Sequence, residues 1–469
     1  MHSPASIAAR LDRLPLTRTI WRLVTLISIG GAFEFYDIFL AAYIAPGLNG
    51  SGIFKGSTLG LFGIGGMGFF IFCSFMGMFL GCIAFGPVAD RFGRRSIFVT
   101  ALLWYSAATA VMAFQSTAAS VDLWRFIASI GVGLEQVTID TYLPELVPPA
   151  HRGKAFAYYQ LIAFSVVPVV ALLGWLLVPQ TLLGLDGWRW VTLVGSVGAI
   201  FAWWLRRGLP ESPRWLAIHG RAAEADLVVS QLEAAITAET GQPLALPVVQ
   251  FATPTGSNQI AASRLADLFR PPYVSRTLVM SVFNLVQTIG FYGFSSWVPT
   301  LLIARGIRIT TSLRYSFIIA MAAPLGPLVG MFVADKVERK WQLVTAGITI
   351  GLFMFLFAHQ TLPAILIACG VVVTLANNWM SFAFHNYQAE LFPTRIRGRA
   401  VGFVYGWSRL SAAFAGLAIG FFLKAGGTPA VALFIGAAMA IMVVTIGVFG
   451  PRTRGRSLED ISREDISSH

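Results

Sequence analysis

The chain alternates long apolar runs with short loops rich in arginine, and this alternation predicts its architecture. About 20 consecutive apolar residues are enough to cross a bilayer as a helix. On that scale the sequence offers twelve spans, at 22–46, 66–89, 96–115, 121–144, 153–178, 189–207, 276–303, 313–334, 341–359, 361–388, 399–423 and 428–449. A single long polar segment, Arg207 to Ser275, separates the sixth from the seventh. Its first half, GRAAEADLVVSQLEAAI, is patterned as a helix. Its second half, GQPLALPVVQFATPTGSNQ, reads as a linker. The expected product is an all-α membrane protein with twelve transmembrane helices in two six-helix, pseudo-symmetric halves. It divides into an N-terminal segment (1–21), a first half (22–207), a central loop with short helices (208–275), a second half (276–449) and a tail (450–469). The basic, proline-broken residues before span one carry no short apolar core, so no cleavable signal peptide is expected.

Composition agrees. Hydrophobic residues make up 56% of the 469 and charged residues 12%, with a mean hydropathy of +0.70, whereas soluble domains carry about 25% charge. A formal charge of +12 and a pI near 10.0 would suit a nucleic-acid partner, but the distribution of the charges argues against one. Of 34 Lys and Arg residues, 26 lie in the termini and in the loops on their side. Six lie on the opposite side (Lys55, Arg189, Arg305, Arg308, Arg314, Lys424), and Arg125 and Arg409 fall within spans. That bias places both termini in the cytoplasm, in a plasma or bacterial inner membrane. The cluster Arg305, Arg308 and Arg314 is the one outer loop that resists the rule. Cys73, Cys82 and Cys369 sit in apolar spans without CxxC or Cys/His spacing, so neither disulfide nor metal is expected.

Against this background the charged residues inside spans stand out. Span one, LVTLISIGGAFEFYDIFLAAYIAP, contains Glu34 and Asp37. A carboxylate at that depth costs roughly 2.5–3.5 kcal/mol, so it needs a water-filled path or a partner. Spaced i and i+3, the two share a helix face. They are read as lining a substrate path, with one of them carrying a proton, Asp37 before Glu34. Span four adds Arg125, Glu135 and Asp140, and span five adds Gln160. In the second half come Asn284 and Gln287 in span seven, Asn377, Asn378 and His385 in span ten, and Arg409 in span eleven. Arg125 is either a ligand or the neutralising partner of Asp37 or Glu135. Asp140, near a span end, reads as structure or gate, and His385 as a satisfied interior histidine.

An internal repeat supports the division into halves. GPVADRFGRRSIF and GMFVADKVERKWQL match at an offset of 245 residues, and PELVPPAHRGKA matches AELFPTRIRGRA at the same offset. Two independent matches at one offset describe a parallel repeat, with a binding site near the midplane between the halves. Asp90, Arg94, Arg95, Glu145 and Arg152 thereby gain the mirrors Asp335, Arg339, Lys340, Glu390 and Arg397.

These loops also resemble known motifs. GPVADRFGRR, RFIASIGVGL, PELVPPAHRGK, PESPRWL, ELFPTRIRGR and PRTRGRSLED resemble signatures of the major facilitator superfamily, in its sugar-porter and organic-metabolite symporter branch. The last departs at Arg452, where sugar porters usually carry Glu. The resemblance implies a cytoplasmic gate of Asp90, Arg94, Arg95, Glu145, Arg152, Glu211, Asp335, Arg339, Glu390 and Arg397. It implies a substrate site including Gln160, eight residues after Arg152, and Arg409, since organic-acid symporters place a similar arginine in this span. Span seven, with Val286 before Gln287, lacks the paired glutamines of sugar porters. Its GFYGFSSWVPT is similar to organic-acid and niacin-type metabolite symporters, and E-F-Y-D resembles the D-G-x-D of aromatic-acid/proton symporters, with Glu in place of the first Asp.

The expected function is proton-coupled symport of a small organic acid or polar metabolite by alternating access. Arg409, Gln160, Gln287, Arg125, Asn284, Asn378 and Glu135 form the substrate set. The expected partners are substrate, protons and the lipid bilayer, with no nucleic acid, no cofactor and no metal, in a monomer. A sugar or polyol porter is the alternative, followed by a drug/proton antiporter and a non-transporting sensor. No cluster of nucleophile, base and orienter suggests an enzyme, and no G-x-x-x-x-G-K-[ST] loop suggests ATP as the drive.

Overall fold

The computed structural model describes residues 4–54, 60–61, 63–206, 208–247, 265–271, 273–333, 337–392 and 394–453. Helices dominate: α1 (Pro4–Asp12), α2 (Arg18–Gly50), α3 (Met67–Phe92), α4 (Arg94–Met112), α5 (Ala118–Leu146), α6 (Arg152–Leu177) and α7 (Gly187–Arg206). The central segment forms α8 (Pro213–Ile218) and α9 (Ala222–Thr240). The second half follows as α10 (Tyr273–Ser295), α11 (Val298–Ala304), α12 (Ile309–Ala320), α13 (Leu325–Val333), α14 (Arg339–His359), α15 (Pro363–Leu391) and α16 (Thr394–Val444).

Two expected spans are broken and two are fused, each for a backbone reason. The seventh divides into α10 and α11 at Ser296–Trp297, just before Pro299, whose ring and missing N–H end a helix. The eighth divides into α12 and α13 ahead of Leu325, beside Pro324. Conversely, α16 runs through two spans, with its turn at Gly426 and Gly427. Gly427 adopts φ +66°, ψ −160°, a region open to glycine alone. Among the described residues, nine helices are long and apolar enough to cross a membrane, one of them this double span. α5, burdened by Asp122, Arg125, Glu135 and Asp140, and α7 complete the twelve.

The outward faces of these helices stay apolar. Ile83, Leu103, Trp104, Val197, Leu278, Phe355 and Val448 are all exposed, the surface expected of a lipid-facing girdle. Inside, helices approach through glycine. A Cβ at Gly81 or Gly133 would overlap the backbone of the facing helix, so α3 and α5 lie closer than side chains would allow. Gly68 of α3 meets Gly416 and Gly420 of α16 in the same way, joining the halves on the side remote from the termini.

The terminal side is built from the N-terminal and central segments. Ile7, Leu11 and Leu14 are buried with Trp215, Leu216, Val229, Leu232 and Ile236, and with Tyr142 and Leu146 of α5. Arg10 and Arg13 reach Glu233 of α9, each at 2.6 Å. Glu239 accepts from the amides of Arg18 and Thr19 at 2.6 and 3.0 Å. A carboxylate therefore satisfies the open first turn of α2 and complements its dipole, which extends the helix four residues before the expected start.

Two of the arginines that resisted the charge bias have structural partners. Arg189 donates to the carbonyls of Ala113 and Gln115 at 2.6 and 2.8 Å, capping the C-terminal end of α4. Arg305 donates to the carbonyls of Phe357 and Gln360, capping α14. A cation at a helix C-terminus satisfies orphan carbonyls and offsets the dipole, so local structure overrides the topological rule there.

Candidate functional site

Between the halves lies a cavity with an empty volume of about 670 Å³, on the terminal side of the midplane. α5 contributes Asp140, α6 Gln160, α10 Gln287 and Tyr292, α15 His385, and α16 Tyr405, Ser408 and Arg409. Phe35, Phe156, Tyr159, Phe164, Phe291 and Phe384 supply aromatic walls. A second cavity of about 430 Å³ lies toward the far side and includes Tyr43, Asn377 and Asn378. Phe164 and Phe291 line both, with ring centroids 6.3 Å apart edge to face, so this pair forms the partition between them.

Arg409 is only 3% exposed. Its Nη1 donates to the Tyr292 hydroxyl at 2.9 Å and its Nη2 to the Tyr405 hydroxyl at 2.8 Å, while Nε has no partner among the described residues. It faces no carboxylate within ion-pairing distance among those residues. Each phenol that accepts from the guanidinium keeps its own proton to donate. The cluster therefore presents one full positive charge and two hydroxyl donors inside an aromatic chamber, where it suits a planar anion. Gln160 and Gln287 are nearly buried in the same wall.

Other candidates lie elsewhere. Arg125 is completely buried within the first half. Its Nη1 bonds Asp37 Oδ2 at 2.8 Å, its Nη2 the Asp37 carbonyl at 2.8 Å and its Nε the Ser74 hydroxyl at 2.8 Å. Thr109 donates to the other Asp37 oxygen at 3.0 Å. Of the alternatives for Arg125, partnership with Asp37 is the one observed, and neither residue lines the central cavity. Asp37 instead borders a small cleft with Tyr36, Tyr105, Ser106 and Gly195. Glu34 is also fully buried and lies in electrostatic reach of Tyr159 and Cys82. The shared face expected for Glu34 and Asp37 is thus turned into the first half, because Asp37 is drawn to the guanidinium of α5.

Glu135 and Asn284 are likewise outside the cavity; Asn284 donates to the Met280 carbonyl at 2.9 Å and to Gln388 at 3.4 Å. Asn378 borders the far-side cavity and donates to the Ala323 carbonyl at 3.2 Å. Asp140, expected from sequence as structure or gate, and His385, expected as an interior histidine, both stand in the central wall. Trp379 is tied to Gln342 at 3.2 Å and does not line either cavity.

The loops on the terminal side realise the repeat in three dimensions. Arg94 pairs with Glu145 at 3.2 Å, and Arg339, 245 residues later, pairs with Glu390 at 3.0 Å. Glu211 accepts from the backbone amides of Arg94, Arg95 and Ser212 at 2.8, 3.1 and 3.0 Å. Arg152 donates to the Val147 carbonyl at 3.3 Å. Asp335 and the side chains of Asp90 and Arg397 lie outside the described residues.

Twelve membrane-crossing segments, a charged cavity between the halves and a repeated loop lock also characterise proteins of known family. The family model for the sugar (and other) transporter matches residues 23–464. The chain belongs to that family. It is accordingly a sugar or metabolite transporter of the major facilitator superfamily and not an enzyme. YyaJ of Bacillus subtilis (strain 168), whose assignment as a metabolite transport protein is itself provisional, is 30% identical over 458 residues, covering 97% of this chain and 98% of its own. The niacin transporter NiaP of Acinetobacter baylyi is 24% identical over 97% of this chain and 99% of its own. The partially occluded inward-open structure of the xylose transporter XylE from E. coli superposes with a TM-score of 0.75 at 18% identity, covering 94% of this chain and all of that one. At that identity the likeness shows the fold.

Two sets of tyrosines in this transporter are not marked out by the polar pattern of the spans. Tyr405 and Tyr292 hold Arg409, and Tyr405 is four residues before it, one helical turn away; that spacing was available. Tyr142 and Tyr387, themselves 245 residues apart, donate to the carbonyls of Pro210 and Pro451 just after each half. The repeat offset would have found them.

Proposed function

We propose that the protein is a proton-coupled symporter of a small organic acid, working by alternating access in a bacterial inner membrane with both termini cytoplasmic. One observation carries this reading: Arg409, the cationic group lining an aromatic-walled cavity between the halves, has phenols rather than an acid as partners and keeps an N–H unpaired among the described residues. An anion arriving there completes its hydrogen bonding. Gln160 and Gln287 orient it, and the niacin-transporting relative is consistent with an aromatic acid as cargo.

The proton reading rests on the Asp37–Arg125 pair. Protonating Asp37 removes the negative charge that holds Arg125, freeing α2 and α5 to shift against each other. Glu34 is the second carrier. The conformation supports a cytoplasm-facing state. The gate pairs Arg94–Glu145 and Arg339–Glu390 each lie within one half, while Gly68 packs against Gly416 and Gly420 on the far side.

The test is counterflow and pH-driven uptake in proteoliposomes, using labelled benzoate-type acids and hexoses. Acids are expected to exchange, and Arg409→Met is expected to lower exchange on the order of 100-fold, the loss of a buried charge partner. Asp37→Asn is expected to abolish pH-driven accumulation while leaving counterflow. Saturable hexose uptake indifferent to Arg409→Met would favour a sugar porter. Retention of pH coupling by Asp37→Asn, with its loss in Glu34→Gln, would move the proton to Glu34.

A further inference from the structure

The cavity that Arg409 lines also contains an acid that the coupling scheme leaves unused. Asp140 is the one carboxylate among the residues lining the central cavity. It is exposed to that cavity and has no ion pair or hydrogen bond among the described residues. Arg409 lines the same space and is its dominant charged neighbour, yet the two are not within ion-pairing distance. A bare carboxylate and a guanidinium facing one chamber, separated rather than paired, describe a site for a molecule that is itself polar at both ends.

Two further groups point the same way. Gln160 is 6% exposed, and its Oε1 is buried without a donor among the described residues. The Nδ1 of His385 lies 2.7 Å from the Ser381 carbonyl, which can only accept, so the ring proton sits on Nδ1 and Nε2 is left as an acceptor. The chamber therefore combines a donor cluster at Arg409, Tyr292 and Tyr405 with an acceptor set at Asp140, Gln160 and His385, within aromatic walls. A simple aromatic acid satisfies the donors and leaves the acceptors unmatched.

We infer that the preferred substrate is an amphoteric aromatic acid. It has a flat ring with a carboxylate that meets Arg409 and its two tyrosines, and a ring or amino nitrogen bearing a proton that is donated to Asp140 and Gln160. This rests on the organic-acid reading above and narrows it: Asp140 determines specificity. A site that offers acceptors to a missing donor discriminates, because the buried Gln160 Oε1 is then left unpaired and Asp140 unmatched.

The experiment compares benzoate with its near-isostere 3-aminobenzoate in counterflow, for the full-length protein and for Asp140→Asn. The wild type is expected to carry 3-aminobenzoate better by about tenfold or more. Asp140→Asn is expected to lose most of that preference, because exchange of 3-aminobenzoate falls much further than exchange of benzoate, and thermal unfolding checks that the variant is folded. Equal handling of the two acids by the wild type overturns the proposal, whatever the variant does. So does an equal loss of both in a folded Asp140→Asn protein. Loss of pH-driven accumulation with counterflow and preference intact also overturns it, since Asp140 would then be a proton carrier. If neither acid exchanges but a hexose does, the organic-acid reading itself has failed, a result distinct from failed discrimination between two transported acids.

Discussion

Arg125 of the first half and Arg409 of the second are both buried guanidiniums, 0% and 3% exposed, with opposite surroundings. Arg125 spends its bonds on Asp37 and Ser74 and sits 5.8 Å from the centre of the Phe70 ring. Arg409 lies between two phenols, faces the cavity and keeps Nε unpaired. The first half closes this guanidinium on its own Asp37, and the second presents its guanidinium to the space between the halves. A pseudo-symmetric scaffold can therefore use a buried arginine in two ways, matched inside one half or open toward the cavity from the other.

The strongest way to break this comparison is to remove each arginine in turn and measure stability. Arg125→Met leaves Asp37 buried without its cation, and thermal unfolding in detergent is expected to show a loss of about 3–5 kcal/mol. Replacing Asp37 by Leu in the same protein should recover most of it, since a matched apolar pair carries no uncompensated charge. Arg409→Met abandons no carboxylate, so its expected stability cost stays within about 1.5 kcal/mol, the range of lost hydrogen bonds. Equal destabilisation by the two substitutions would mean that Arg409 is as structural as Arg125.

How much of this was legible from sequence follows the same division. Hydropathy placed all twelve spans, and the 245-residue offset anticipated both Arg–Glu pairs, because these features are local in sequence or repeated in it. Arg409, Gln160 and Gln287 were legible as polar residues in costly positions. The turning of Asp37 away from the cavity was not. It depends on which neighbour of α2 supplies Arg125, a packing fact that helical spacing does not encode. The place of Asp140 in the cavity wall was not legible either: it stands near a span end in the sequence, and only the packing shows that the cavity reaches that far toward the terminal side. The breaks at Trp297 and Gly427 were signalled by Pro299 and the Gly426–Gly427 pair.

A subtler difference between the halves concerns the loop lock. In the first half Glu211 comes from the segment after the last span and caps α4, and Gly93 (φ +96°) leaves room for it, since a Cβ there would sit 2.5 Å from the carboxylate. In the second half the position matching Gly93 is Glu338, which accepts from the Thr453 amide at 3.0 Å, and the segment after the last span carries Arg452 instead of an acid. The acid has changed sides of the same junction. Glu211→Gln, which weakens bonds to three amides, is expected to cost about 1.5 kcal/mol. Glu338→Gln is expected to cost about 0.5–1 kcal/mol at this partly exposed site. Hydrogen exchange at Arg94, Arg95 and Thr453 reports each separately. Combining Glu338→Gly with Arg452→Glu would rebuild the first half's arrangement in the second, and slowed exchange at the start of α14 would sharpen the comparison.

The smallest expected effect concerns the clamp of α1 on α9, which belongs to the first half. Burial acts to raise the Glu233 pKa, but the hydrogen bonds from Arg10 and Arg13 outweigh it and hold the carboxyl below its usual range. A group whose folded value is depressed contributes stability above its unfolded value, near 4.5, and loses that contribution as pH falls through the folded value. Docking of α1 should therefore be constant from about pH 7 to 5 and weaken only below about pH 4.5, by less than about 1 kcal/mol given its partial exposure. Spin labels at Ala8 and Ala235 would report the separation of the two helices. Broadening of that distance already between pH 7 and 5 would assign the clamp to another group, whereas loss confined to the acid limb, and abolished by Glu233→Gln, ties it to this carboxylate.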